Sequence, residues 1–232
     1  MRAEPPRMPR TLTRRRLGAL LPALAATLAA TGALTGCASP GPAYYRLSAQ
    51  AGPALPGRGR QIQLRRVGIP GYLDRPGLVR AREGGRLDVA DVESWPEPFG
   101  DMVTRVLAEN LALRLPGDSV AAEGGALRIP ASILAEVQIQ RFEAGPDGVV
   151  ELLAQAAVRP RNQDAAASRT LRFRVPSGVP GAGVSGASVS GTGAKGPDAA
   201  GVVAAMDQAL GQLTDSLAGM IAAMPATALT AR

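Results

Sequence analysis

The sequence predicts an α/β domain in which two amphipathic helices cover a sheet built of strands and hairpins. Three patterns predict it. Short runs that alternate apolar and polar side chains, bounded by Gly and Pro, recur between residues 44 and 90 and again between 127 and 175. That period of two marks half-buried strands. Between these groups, Glu97–Leu115 repeats Val103, Leu107, Leu111 and Leu115 at every fourth position, with Met102 and Val106 beside them, which is one apolar helix face. After them Val203, Met206, Leu210, Leu213, Leu217 and Met220 fall at alternating spacings of three and four, an a/d-type stripe.

Taken in order, Tyr44-Tyr45-Arg46-Leu47 reads as a first strand, since aromatics suit a pleated, half-buried surface. Gln50–Gly59 is a Gly/Pro-rich loop. Ile62, Leu64, Val67 and Ile69 suggest a second strand, which Pro70-Gly71 stops. Residues 78–82 and 86–90 flank Glu83-Gly84-Gly85 and predict a hairpin. In the helix at 97–115, Pro98 suits the first turn, Asp101 lies near the positive end of the dipole, and Pro116-Gly117 ends it. Such a face either binds a partner or covers a sheet.

Within Leu127–Phe142, Ile133, Ala135, Val137 and Ile139 alternate with Gln138 and Gln140. Gly145-Pro146-Asp147-Gly148 is a turn, and Val149–Val158 completes a second hairpin. Leu171, Phe173 and Val175 alternate with Arg172 and Arg174 as another strand. Residues 176–197 are a Gly/Ser/Ala/Val tract that buries too little apolar area to offset its ordering entropy, so it predicts a loop. The last helix opens at Asp198 or Gly201. Its stripe permits a homo-oligomer through a coiled coil, and packing on a sheet is its more ordinary use. Residues 225–232 form a tail.

The N-terminus predicts export. Arg2, Arg7, Arg10 and Arg14-Arg15-Arg16 form a basic region, followed by the 18 apolar or small residues Leu17–Leu34, interrupted only by Thr27 and Thr31. Leu34-Thr35-Gly36-Cys37 then resembles the lipobox of bacterial lipoproteins, cut between Gly36 and Cys37 and acylated on the Cys37 thiol. A single-pass anchor is the alternative, because about 17 residues can span a bilayer; the small residues and terminal cysteine favour cleavage. Thr13-Arg14-Arg15-Arg16-Leu17 also looks like a twin-arginine signal, which leaves the export route open. Ala38 and Ser39 follow the cysteine. By resemblance to lipoproteins generally, the absence of Asp there favours the outer membrane.

Removing residues 1–36 changes the charge argument. That leader holds six arginines and one glutamate, so the remaining 196 residues keep 20 basic and 18 acidic side chains, a net charge of about +2. The formal +7 of the whole chain is largely the leader's, and it carries no nucleic-acid reading. The predicted organisation is a signal peptide at 1–36, a lipidated tether at 37–43 and one domain at 44–224. A chain of this length supports one core. Its sole cysteine leaves no disulfide, and the absence of histidine excludes Ser-His-Asp triads, Cys-His dyads and His-containing zinc sites.

Other chemical signals are weak. Gly181-Ala182-Gly183-Val184-Ser185-Gly186 and Gly191-Thr192-Gly193-Ala194-Lys195-Gly196 match G-x-G-x-x-G. Both lie in the Gly-rich tract, where composition produces such matches, and neither follows a strand and opens a helix. No cofactor is expected. Asp91, Glu93 and Glu97 surround Trp95, as an acid pair for glycan hydrolysis would; a solvated loop entering the helix is the more ordinary account of them. Tyr72-Leu73-Asp74-Arg75-Pro76 reads either as a turn or as a protein contact, since Tyr and Arg are enriched at hot spots.

Gly68-Ile69-Pro70-Gly71-Tyr72-Leu73-Asp74-Arg75-Pro76-Gly77-Leu78-Val79-Arg80 resembles the signature of the ABC-type transport auxiliary lipoproteins, the paraquat-inducible protein C group. Tyr44–Leu47, Trp95-Pro96-Glu97-Pro98-Phe99 before its helix, and Val137–Phe142 with Gly148–Leu152 agree in order and spacing. The resemblance implies a two-layer α/β sandwich, a mixed and mostly antiparallel sheet with two main helices on one face. It implies a non-catalytic lipoprotein whose partners are an MCE-domain protein and the associated permease and ATPase. These move lipid between the membranes of diderm bacteria and support envelope integrity. The chain would sit at the periplasmic face of the outer membrane, held by lipid at Cys37, with Tyr72, Leu73, Asp74, Arg75, Pro76 and Trp95 as partner-binding residues. An envelope assembly lipoprotein unrelated to transport is the alternative. The 176–197 tract is longer than the family pattern.

Overall fold

The computed structural model describes residues 41–164, 166–178 and 198–224. The leader with Gly36, the tether up to residue 40 with Cys37, both G-x-G-x-x-G matches and the 225–232 tail lie outside the described residues. Among these residues the elements are β1 Ala43–Tyr44, β2 Gln61–Leu64, β3 Gly77–Ala81, β4 Leu87–Ser94, α1 Phe99–Arg114, β5 Ser119–Ala122, β6 Ile133–Ala144, β7 Val149–Pro160, β8 Ala167–Pro176 and α2 Ala199–Ala222.

The sheet is organised around β6. One edge pairs along its length with β7, which pairs with β8, both antiparallel. The other edge is shared. β2 runs parallel to its first residues, and β3 touches its end at Arg80 and Ala144. Two wings therefore leave this edge: β2 with β5, and β3 with β4 and β1. The parallel ladders are short and the antiparallel ones long, so the sheet is mixed and mostly antiparallel.

Alternation places Ile133, Ala135, Val137 and Ile139 of β6 and Val150, Leu152, Ala154, Ala156 and Val158 of β7 on the covered face, in one core with the buried faces of α1 and α2. Gln138 and Gln155 stand on the helix-free face. The fold is the two-layer α/β sandwich with two helices on one face. All six residues of the α2 stripe are buried in it, so that stripe serves helix-on-sheet packing. Three rings continue the core: Trp95 stacks on Phe99 at 5.1 Å, and Phe99 meets Phe142 at 5.8 Å.

Several boundaries differ from the sequence reading. The first strand is Ala43–Tyr44 alone, because Leu47 turns into the core instead of continuing a ladder. β2 ends at Leu64, although Arg65 and Gly68 still donate backbone N–H bonds to β6 at Ala135 (2.9 Å) and Val137 (3.0 Å). β5 has no alternating signature. β6 starts at Ile133, and Leu127 is exposed. Its alternation shifts by one residue between Ile139 and Arg141, a bulge that puts Phe142 back on the covered face. The hairpin after β3 turns through Gly84 and Gly85 at φ of 70° and 78°, a left-handed geometry that favours glycine.

Polar anchors set the helices. Arg114, at 1% exposure, ends α1 beneath α2. Its Nε donates to Asp215, Nη2 to the Gly211 carbonyl at 3.1 Å, and Nη1 to the Gln50 carbonyl at 2.7 Å. Arg60 donates to Asp118 at 2.6 Å and to the Ile221 carbonyl at 2.6 Å, tying β2 to the end of α2. Burial alone would raise the Asp118 carboxyl; the Arg60 guanidinium and the N–H groups of Arg60 and Arg58 outweigh it and hold it below the usual range. Arg114→Ala would remove its bonds to the Gln50, Asn110 and Gly211 carbonyls and empty the space of a large buried side chain, and should cost about 2–5 kcal/mol. A urea titration would show it as a lower midpoint at unchanged slope.

Candidate functional site

The chain runs beside β6 from Ile62 to Gly68, then leaves it and returns as β3. The departure is the turn 70–76. Leu73 N–H bonds the Pro70 carbonyl at 3.0 Å, Arg75 N–H bonds the Leu73 carbonyl at 2.8 Å, and Trp95 N–H bonds the Pro76 carbonyl at 2.7 Å. Leu73, at 2% exposure, enters the core, which forces the next three residues outward. Asp74, Arg75 and Pro76 are exposed. A rigidly seated turn thus presents one acid, one base and one proline to solvent.

The structure separates the six predicted contact residues. Asp74, Arg75 and Pro76 form the exposed tip. Tyr72 is half-buried beside them. Leu73 and Trp95 are core residues, Trp95 at 6% exposure against Phe99. They shape the turn from below and offer a partner little surface.

Tyr72 leads to residues that the sequence reading missed. Its hydroxyl donates to Glu143 Oε2 at 2.8 Å, and the Phe142 N–H donates to the same oxygen at 2.9 Å. Burial pushes the Glu143 carboxyl up, against the pull of these two donors and of Arg141. Burial, then the Glu143 bond, pushes the Tyr72 hydroxyl up as well. The pair lines a groove of about 600 Å³ between the β3–β4 hairpin and the β6–β7 turn, with Leu87, Gln140, Arg141 and Glu151. Arg141 and Arg172 meet Glu151 at 3.2 and 2.8 Å. The available signal was the broken alternation. Ile139 to Phe142 is a step of three, and the bulge it implies carries Glu143 to the groove side.

This chemistry suits recognition. The carboxylate is held by a phenol and an N–H, and no nucleophile with a base adjoins it. The acids around Trp95 do not form a pair: Glu93 binds Arg80 at 3.3 Å, and Glu97 binds Arg105 at 2.6 Å. Among the described residues no group of three His, Cys, Asp or Glu could hold a metal, and no helix is long and apolar enough to cross a membrane. A second depression of about 650 Å³ lies on the helix-free face, lined by Arg65, Gln138, Gln155 and Thr170. Glu123 and Glu136 neutralise Arg65 there.

The model of the family described as ABC-type transport auxiliary lipoprotein component matches residues 45–218. No curated protein matches. Two solved structures share the fold. One is described as a crystal structure of an uncharacterized protein, 19% identical, covering 78% of this chain and 99% of its own, with a TM-score of 0.61. The other is protein XCC0632 from Xanthomonas campestris, 21% identical, covering 78% and 95%, with a TM-score of 0.60.

Two expectations separate surface from core. Trp95→Ala should cost about 3–5 kcal/mol, whereas Asp74→Ala and Arg75→Ala should stay within about 0.5 kcal/mol, as read by denaturant unfolding. Tyr72→Phe removes a bond to a buried carboxylate and should cost about 1.5–3 kcal/mol. It should also raise the Glu143 pKa further, which carboxyl-resonance NMR would read directly.

Proposed function

Since the chain belongs to the ABC-type transport auxiliary lipoprotein family, and is a non-catalytic auxiliary component of such a system, we propose that it docks the transport assembly at the periplasmic face of the outer membrane. Its partner in this reading is an MCE-domain protein with its permease and ATPase, and its anchor is lipid on Cys37. The role supports envelope integrity by holding the two ends of a lipid pathway together.

The observation that carries the reading is the turn 70–76. Its backbone is fixed from below by Leu73 and Trp95, while Asp74, Arg75 and Pro76 are exposed. A docking surface needs such preorganised groups, because little ordering entropy is then lost on association. The neighbouring groove supplies Tyr72, Leu87 and Arg141, the aromatic, apolar and arginine components typical of contact sites. On the membrane side, each buried CH₂ of an acyl chain contributes about 0.8 kcal/mol, and one chain alone holds only marginally. A multiply acylated Cys37 would hold firmly.

The test uses the full chain purified from membranes. Arg75→Glu combined with Asp74→Arg exchanges the charges of the tip and should abolish co-purification of the MCE-domain partner while leaving the melting temperature unchanged. Retention of the partner at wild-type levels would remove the turn from the interface. Separately, Cys37→Ser should move the protein from the membrane to the soluble fraction.

A further inference from the structure

Residues 45–52 join β1 to β2 and pair with no neighbouring strand beyond the Tyr45 N–H bond to Ser94. They lie on the seam between α1 and α2, where helix side chains supply the bonds. The Ser48 N–H donates to Asp207 Oδ1 of α2 at 2.9 Å. The Gln50 N–H donates to Asn110 Oδ1 of α1 at 2.6 Å, and the Gln50 carbonyl accepts from Arg114 Nη1 at 2.7 Å. The Leu47 side chain is buried and its N–H points at Met102 Sδ, 3.4 Å away. At Gly52 a Cβ would overlap the Arg114 guanidinium, so the chain lies flat on that group. Three helix side chains thus clamp one extended strap.

Asp207 is the unusual member. It is 7% exposed, it sits among Val202, Val203, Met206 and Leu210 on the buried face of α2, and the hydrogen bond it accepts comes from Ser48. Among the described residues no cation pairs with it. Charged groups on the surrounding elements are engaged or directed elsewhere. Arg114 and Asp215 bind each other. Arg105 binds Glu97 and Glu109 on the outer side of α1. Arg46 is exposed on the strap. Glu151, Arg172 and Arg174 stand on the helix-free face, in ion pairs with one another or with Asp147. A neutral carboxyl satisfies the Ser48 N–H through its carbonyl oxygen. An ionised one is a buried charge with a single donor, which burial penalises.

We infer that residues 45–52 form a proton-sensitive strap, closed over the helix seam while Asp207 is protonated and loosened when it ionises. Burial, opposed by the Ser48 N–H, pushes the Asp207 carboxyl up to about 7. The open strap exposes it to water, where an aspartate titrates near 4. The closed form therefore holds the proton more tightly. The closed fraction is greatest at acid pH, falls as pH rises from about 4 to about 7, and is level above that. The strap begins eight residues after Cys37. β1, which precedes it, pairs with β4, so only release of the strap together with that two-residue ladder would lengthen the link between anchor and domain, by about 33 Å for residues 43–52 at roughly 3.3 Å per residue. That consequence rests on lipid attachment at Cys37; the strap itself does not.

Hydrogen exchange on the full chain tests the strap. After correction for intrinsic rates, protection of the Ser48 and Gln50 amides should fall about tenfold per pH unit between pH 5 and 6.5 and level off above 7. Amides in the centre of the β6–β7 ladder should show no such slope. Asp207→Asn keeps an acceptor oxygen and cannot ionise, so its strap protection should be flat with pH. A flat profile in the unsubstituted protein, or an unchanged slope in Asp207→Asn, overturns the inference. The Asp207 carboxyl resonance of the unsubstituted protein gives an independent reading. Its midpoint must coincide with the levelling of strap protection, and a midpoint near 4 overturns the inference even if the variant does not fold.

Discussion

The rest of the molecule depends on how one buried guanidinium is satisfied. Arg114 closes α1 at a point where an apolar residue would extend the core. It instead reaches α2 through Asp215 and Gly211, and the strap through Gln50. A planar group with donors in a fixed fork allows little freedom in where those acceptors stand. It therefore sets the position of α2 against α1 as well as stabilising the contact. The apolar faces of the two helices could slide past each other with modest loss; the fork cannot. With α2 placed, its stripe meets β7 and β8, and the sheet has one covered face.

The regular parts of this fold were legible because their period matches their burial. Val103 to Leu111 in α1 and Val203 to Met220 in α2 repeat as helix faces and are buried as such. The β6–β7 hairpin was visible from Gly145–Gly148 and the alternation on either side. What was not legible is irregular for physical reasons. The strap is extended without being a strand, so Tyr45 and Leu47 mimic strand spacing while serving the helix seam. Ser119–Ala122 is short and mostly small, and it is a strand because β2 offers an edge. Leu127 resembles the start of a strand, yet the chain reaches the sheet only at Ile133.

The candidate site divides along the same line. A turn between β2 and β3 could be read from Pro70, Gly71 and Pro76, and its exposed tip follows. That Leu73 and Trp95 would be its foundation could not be read from local composition, because burial is decided by distant partners such as Phe99 and Phe142. Glu143 required knowing that a bulge turns β6 over. The groove is thus a product of register: Tyr72 and Glu143 meet because one strand carries an extra residue.

The ladder at β1 has a mechanical consequence. Ala43 and Tyr44 pair in parallel with Glu93 and Ser94, and the contact is two residues long. A chain fixed at its N-terminus to a membrane, and loaded by a partner elsewhere on the domain, delivers tension to that ladder first. Next come the strap's side-chain clamps, and only then the core beneath α1 and α2. The order runs from weak to strong, so the domain can yield near its anchor under a pull while the turn at 70–76 keeps its shape. In the proposed docking arrangement, such a series would act as a shock absorber between two membranes that move relative to each other.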